Sequence, residues 1–172
     1  ASKLERTSVL HWLVSAIIAG YALQLALGSQ WLQREHLLDQ RFALSIAGLE
    51  AGRFWTLFTH SFLHSPHFIF HGLVNVLALY FVGRELLPLV GARRFMGIYA
   101  VATAVGGLAW VAAHWKFGGG ETLIGASAAV YALVVVFACF FPQQELRFWM
   151  FFVIPVTLKP RHIVYALAGF DI

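Results

Sequence analysis

Charge is what this sequence has least of. Lys, Arg, Asp and Glu together make up 12% of its 172 residues, whereas apolar types make up 60%. Soluble domains carry about twice that charge, so an ordinary soluble domain is excluded. Cysteine is nearly absent as well: the single Cys139 lies in an apolar run, forms no intrachain disulfide and leaves the redox compartment open. Internal repeats and low-complexity segments are missing. The N-terminal segment is too long, and too poor in a small-residue cleavage site, to read as a removable signal peptide. The formal charge of +4 calls for no nucleic acid, because Lys and Arg fall in loops, where they set membrane orientation.

The apolar residues that remain come in runs near the length that crosses a bilayer, about twenty residues. The expected architecture is therefore an all-α polytopic membrane protein. A first span is expected over residues 9–27. Residues 28–56 are too polar to span, with Arg34, Glu35, Asp39, Arg41, Glu50 and Arg53. They are also too apolar for free solvent, with Trp31, Phe42, Phe54 and Trp55, so an interfacial loop insertion is expected there. Ser65-Pro66 reads as the start of a second span reaching about residue 82, Ser as N-cap and Pro at the first helical position. His71 and Asn75, four residues apart, share one face of that span. A basic turn follows at residues 83–94, and a third span is expected over 95–113.

The fourth span, expected over 123–141, opens on Gly125-Ala126-Ser127-Ala128. Residues 146–156 are apolar but too short to cross, and Lys159-Pro160-Arg161 at mid-membrane would cost several kcal/mol. Residues 148–156 are expected to pack near the interface, with a fifth span starting near Arg161 and too short by residue 172 to cross. Lys3, Arg6, Arg84, Arg93, Arg94, Arg147, Lys159 and Arg161 fall on one side of this layout. The excess of Lys and Arg marks the cytoplasmic side. The N-terminus is thus expected inside, and Ser127, His71 and Asn75 towards the outer side.

Ser127, flanked by very small residues, is either a packing residue for close helix approach or a nucleophile. Alone, His71 reads as a buried hydrogen-bonding residue and Asn75 as interhelical glue. Together the three supply a nucleophile and hydrogen-bond donors at similar inferred depth, which is what acyl transfer needs. The backbone N–H of Ser127, at a helix start, adds a further donor. A rival reading is a metal or haem site from His60, His64, His67 and His71, whose spacings would make a ligand ladder on one continuous helix. The Ser65-Pro66 break argues against that helix. A transporter would call for charged intramembrane residues or repeats, and neither is evident.

An ordered set of motifs now resembles the rhomboid family of intramembrane serine proteases. It comprises Phe54-Trp55, Phe58-Thr59-His60, Phe62-Leu63-His64 and His71-x-x-x-Asn75, then Gly83-Arg84, Gly91, Arg93-Arg94-Phe95 and Tyr99. Gly125-Ala126-Ser127 with Tyr131, and Ile154-Pro155-Val156 with Lys159, complete it. The resemblance runs over roughly residues 9–172 and implies a six-helix bundle forming one membrane domain, of which this chain holds about five spans. It implies Ser127 as nucleophile, His71 and Asn75 as oxyanion-stabilising side chains, and Gly125 as the small residue that gives the site room. Tyr131 would pack against a general-base histidine on a sixth span, beyond residue 172. None of His11, His36, His60, His64, His67, His71, His114 and His162 stands at the matching place.

The implied activity is cleavage of transmembrane segments of protein substrates by a Ser-His dyad, in the bilayer and without metal or cofactor. The alternative is a catalytically inactive relative that binds transmembrane segments. A bacterial inner membrane is the expected location, with oligomeric state left open. Ala128 stands where the family usually has Gly, and His64 and His71 are two residues further apart than is typical.

Overall fold

A computed structural model describes residues 3–27, 37–66, 69–115, 121–143, 146–150 and 154–158. Among these the chain is helical but for loops and one short hairpin. Helix α1 (Lys3–Leu27) leads to the small helices α2 (Leu37–Phe42), α3 (Ile46–Glu50) and α4 (Thr56–Thr59), which ends in a 3-10 turn at His60–Phe62. The long helices α5 (Ile69–Val90) and α6 (Ala92–His114) follow, then α7 (Ser127–Phe140). Strands β1 (Leu146–Met150) and β2 (Ile154–Leu158) pair antiparallel, with Phe148 opposite Val156. The proposed fifth span and Lys159-Pro160-Arg161 lie outside the described residues, as do Trp31, Arg34, His36, His67 and His162.

Among the described residues three helices are long and apolar enough to cross a membrane: Val9–Leu27, Ile69–Val90 and Ala92–His114. Only 22% to 33% of each of these stretches is buried inside the protein, so most of their apolar surface needs another apolar phase to cover it. Val101 and Val105 on α6 and Leu73 and Leu77 on α5 are all exposed. A bilayer is that phase, and the chain is an integral membrane protein.

The core lies where α1, α5, α6 and α7 converge. Leu10 and Ile17 of α1, Leu79 and Leu86 of α5, Phe95 and Tyr99 of α6, and Leu133 and Phe137 of α7 are buried together there. Helices α1 and α5 run antiparallel. Leu10 meets Gly83 near one end, and Tyr21 meets Gly72 near the other. The start of α1 therefore lies at the same end as the α5–α6 junction, which gathers Arg84, Arg93 and Arg94.

Several helix limits differ from the sequence reading. Helix α5 begins at Ile69 and not at Pro66, which sits in a turn. It also continues past residue 82 to Val90, so the expected basic turn at residues 83–94 shrinks to one residue. Gly91 alone breaks the helix: at φ +78° it donates to Leu87 O (3.0 Å) and accepts from Phe95 N (3.0 Å). That left-handed cap ends one helix and opens the next. Arg84 and Glu85 are helical and bonded to each other at 3.1 Å on the surface. Helix α7 starts at Ser127, four residues later than the expected span, because the chain before it is extended. The described parts of the apolar stretch 146–156 belong to two paired strands, an element that its length alone did not suggest.

Candidate active site

The segment leading into α7 is fastened to the loop that precedes α5. Leu44 and Leu123 form an isolated antiparallel bridge, with Leu44 N–H donating to Leu123 O at 3.1 Å and Leu123 N–H to Leu44 O at 2.8 Å. Two residues on, Gly125 N–H donates to His60 O at 2.9 Å. The loop itself is tied by side chains: Trp55 Nε1 donates to Arg41 O (2.8 Å), Thr59 Oγ1 to Phe42 O (2.8 Å), and Ser45 Oγ caps α3 by accepting from Gly48 N (3.0 Å). His60 is buried with its Nδ1 2.9 Å from Thr56 O. A carbonyl only accepts, so Nδ1 carries the proton. Burial lowers the His60 pKa, and the hydrogen bond to Thr56 opposes that shift.

Gly125 adopts φ +117°, a conformation that side-chain-bearing residues rarely take. Its second constraint is steric: a methyl group placed there would lie 3.1 Å from His71 Cε1 and 3.5 Å from His71 Nε2. The imidazole of α5 therefore borders the space that a side chain at position 125, just before α7, would fill. Asn75, one turn further along α5, is buried and donates from Nδ2 to His71 O at 2.9 Å. One Nδ2 hydrogen remains for another acceptor.

Ser127 is the first residue of α7 and half-buried. Ala126 precedes it without any side-chain cap, and its carbonyl accepts Val130 N–H at 2.9 Å. The first amides of α7 thus lack intrahelical partners and, with the helix dipole, favour negative charge. Among the described residues, neither the Ser127 hydroxyl nor the Tyr131 phenol makes a hydrogen bond. Tyr131 sits half-buried one turn along α7. Ala128 directs its methyl towards α6, where a Cβ added at Gly106 would come within 2.5 Å of it. The extra methyl at position 128 is thus matched by a missing one at position 106.

A family model described as the Rhomboid domain matches residues 51–170. The chain belongs to the rhomboid family. That family comprises intramembrane serine proteases and catalytically inactive relatives. Within the matched rhomboid region stand His71, Asn75, Gly125, Ser127 and Tyr131 together with His60 and His64. No curated protein matches the chain.

His64, which the sequence reading placed only in a motif and in the metal alternative, also bears on this rhomboid site, as do Tyr21 and Gln24, which it did not single out. His64 is fully buried against His71, their ring centroids 5.6 Å apart at 65°. Burial, with the His71 imidazole second, lowers the His64 pKa to about 4. Neither of its ring nitrogens has a hydrogen-bond partner among the described residues. Tyr21 and Gln24 of α1 reach the same loop: Tyr21 OH donates to Ser65 O at 3.2 Å, and Gln24 Oε1 accepts from His64 N at 3.0 Å. These contacts join positions 40 or more apart in the chain, so no local motif announces them.

The histidines do not form the ladder that a metal reading requires. His60 lies in a 3-10 turn, His64 in extended chain and His71 in α5. Among the described residues no three His, Cys, Asp or Glu side chains converge to hold an ion.

Proposed function

We propose that this rhomboid is an intramembrane serine endopeptidase that cleaves transmembrane segments of protein substrates. Ser127 is its nucleophile. In this reading Ser127 Oγ attacks a substrate carbonyl carbon and gives its proton to a general-base histidine that the proposal requires on a further span. The carbonyl oxygen takes up the negative charge. The Ser127 amide, the His71 imidazole and the spare Nδ2 hydrogen of Asn75 are the donors that stabilise it. The tetrahedral intermediate then collapses, the general acid protonates the leaving amine, and water releases the acyl group. Gly125 leaves room for the carbonyl, and Tyr131 backs the base.

The observation that carries this reading is the contact of His71 with Gly125, two residues before a serine at an uncapped helix N-terminus. A helical substrate hides its carbonyls in hydrogen bonds, so it must unwind locally, and small or helix-breaking residues near the cut reduce that cost. In this reading the described part of the loop, residues 37–56, lies at the membrane surface, with the exposed Phe54 and Trp55 at headgroup depth. The basic end of α1 and α5 faces the cytoplasm, and the site opens to the opposite side.

The test is labelling of the full-length protein by a fluorophosphonate or an isocoumarin, alongside cleavage of a transmembrane peptide. Wild type is expected to label and cleave, and Ser127→Ala to do neither. Equal labelling of the two proteins removes the serine from the mechanism. Peptide binding without Ser127-dependent cleavage makes the chain an inactive relative.

A further inference from the structure

His71 is the only one of the proposed oxyanion donors that belongs to a stack of rings. Its ring also packs on His64, edge to face at 5.6 Å and 65°. Behind His64 stands Tyr21 of α1, at 5.9 Å and 69°. Gly72, next to His71, faces both residues: a methyl there would lie 3.4 Å from His64 Cβ and 3.4 Å from Tyr21 Cε1, in ordinary van der Waals contact. A continuous column thus runs from α1 through the loop and α5 to the backbone before Ser127.

The column is anchored at its outer end. Tyr21 OH donates to Ser65 O, Gln24 Oε1 accepts from His64 N, and Gln24 Nε2 donates to Asp39 Oδ1 at 2.9 Å. The His64 backbone is therefore held from α1, while its imidazole forms no hydrogen bond among the described residues. Against His71 this ring offers shape and a quadrupole. Edge-to-face aromatic contacts restrain orientation and add about 0.5–1.5 kcal/mol beyond area burial.

We infer that Tyr21 and His64 are positioning residues that fix the His71 imidazole, and hence its donor N–H, against the mouth of α7. The inference rests on the serine-protease reading of the site. On this inference the ring contact with His64, with Gly125 also close to the imidazole, limits rotation of His71 about its Cβ–Cγ bond. A donor aimed before the reaction begins needs no reorganisation when charge develops on the oxyanion. Misplacing one catalytic group by about 1 Å costs up to about a hundredfold in rate.

The experiment is a double-mutant cycle in the full-length protein, reconstituted in liposomes with a fluorogenic transmembrane peptide. His64→Ala is expected to lower kcat roughly tenfold with KM changed less than about twofold, because it disturbs a donor acting on the transition state. His64→Phe keeps a ring of similar outline and is expected to recover kcat to within about threefold of wild type. In a His71→Ala background, His64→Ala is expected to lower kcat no further, since no donor is left to orient. An unchanged kcat in His64→Ala, a full multiplicative loss in the double mutant, or failure of folded His64→Phe to recover activity overturns the inference. If His64→Ala does not fold, as judged by its thermal midpoint, Tyr21→Leu replaces it in the same cycle with the same expectations. Ser127→Ala is run alongside. Cleavage that survives it overturns the protease reading and this inference together, whereas its loss with uncoupled His64 and His71 overturns this inference alone.

Discussion

Replacing Gly125 by alanine tests the site through two separable costs. The first is backbone strain, since φ +117° lies where a side chain is poorly tolerated, at about 1–3 kcal/mol. The second is crowding: the new methyl falls 3.1 Å from His71 Cε1, so the imidazole must retreat by a few tenths of an ångström. Gly52 isolates the first cost. It has φ +79°, and a methyl there meets nothing within 4 Å. Gly52→Ala should therefore destabilise by only about 1 kcal/mol and leave cleavage near wild type. Gly125→Ala should destabilise by roughly 1–3 kcal/mol and lower kcat by about ten- to a hundredfold through displacement of His71. In a His71→Ala background the crowding disappears while the strain remains, so Gly125→Ala should cost stability without a further loss of kcat. Thermal unfolding in detergent and cleavage of a transmembrane peptide read the two effects. If Gly125→Ala matches Gly52→Ala in both measurements, the contact between His71 and the α7 mouth plays no part in catalysis.

Two further outcomes follow from named contacts. Folding lowers the His64 pKa from 6.5 to about 4, so the unfolded chain binds more protons between those values. The stabilising share of neutral His64 is complete above pH 6.5 and is lost as pH falls towards 4, at most about 3 kcal/mol. Thermal midpoints at pH 7.5 and 4.5 should differ for this reason, and His64→Phe should flatten the dependence; an unchanged slope in that variant refutes the assignment. At the α6–α7 contact, Gly106→Ala puts a methyl 2.5 Å from that of Ala128 and should cost about 1–3 kcal/mol by overpacking. Ala128→Gly in the same chain should restore most of that loss, and an equal loss in the double mutant refutes the pairing of the two positions.

Much of the bundle was legible in hydropathy because the bilayer imposes a length on every crossing helix. Helices α1, α5 and α6 are found where long apolar runs announced them. Their ends were harder to read. Gly83 reads as a turn residue, yet it is helical and makes space for Leu10 of α1. The break falls instead at Gly91, which alone carries the positive φ needed to end α5. Leu123 reads as part of an apolar helix because pairing with Leu44, 79 residues earlier, leaves no trace in composition. The site was legible to the same degree. His71 and Asn75 share a face by spacing, and Gly125 and Ser127 share a motif, so the sequence shows both halves. What it does not show is the side from which His71 is held, since Tyr21 and His64 meet through tertiary contact alone.

Helix α7 contains 14 residues, and at about 1.5 Å per residue it is roughly 21 Å long. The hydrocarbon layer is about 30 Å thick. If the far end of α7 reaches one face of that layer, its serine end stops about 9 Å short of the other face. With Ser127 as the proposed nucleophile, a peptide bond meeting that oxygen would be cut at a fixed depth beneath the headgroups, so scission sites in substrates should track distance from the membrane border more closely than any particular sequence.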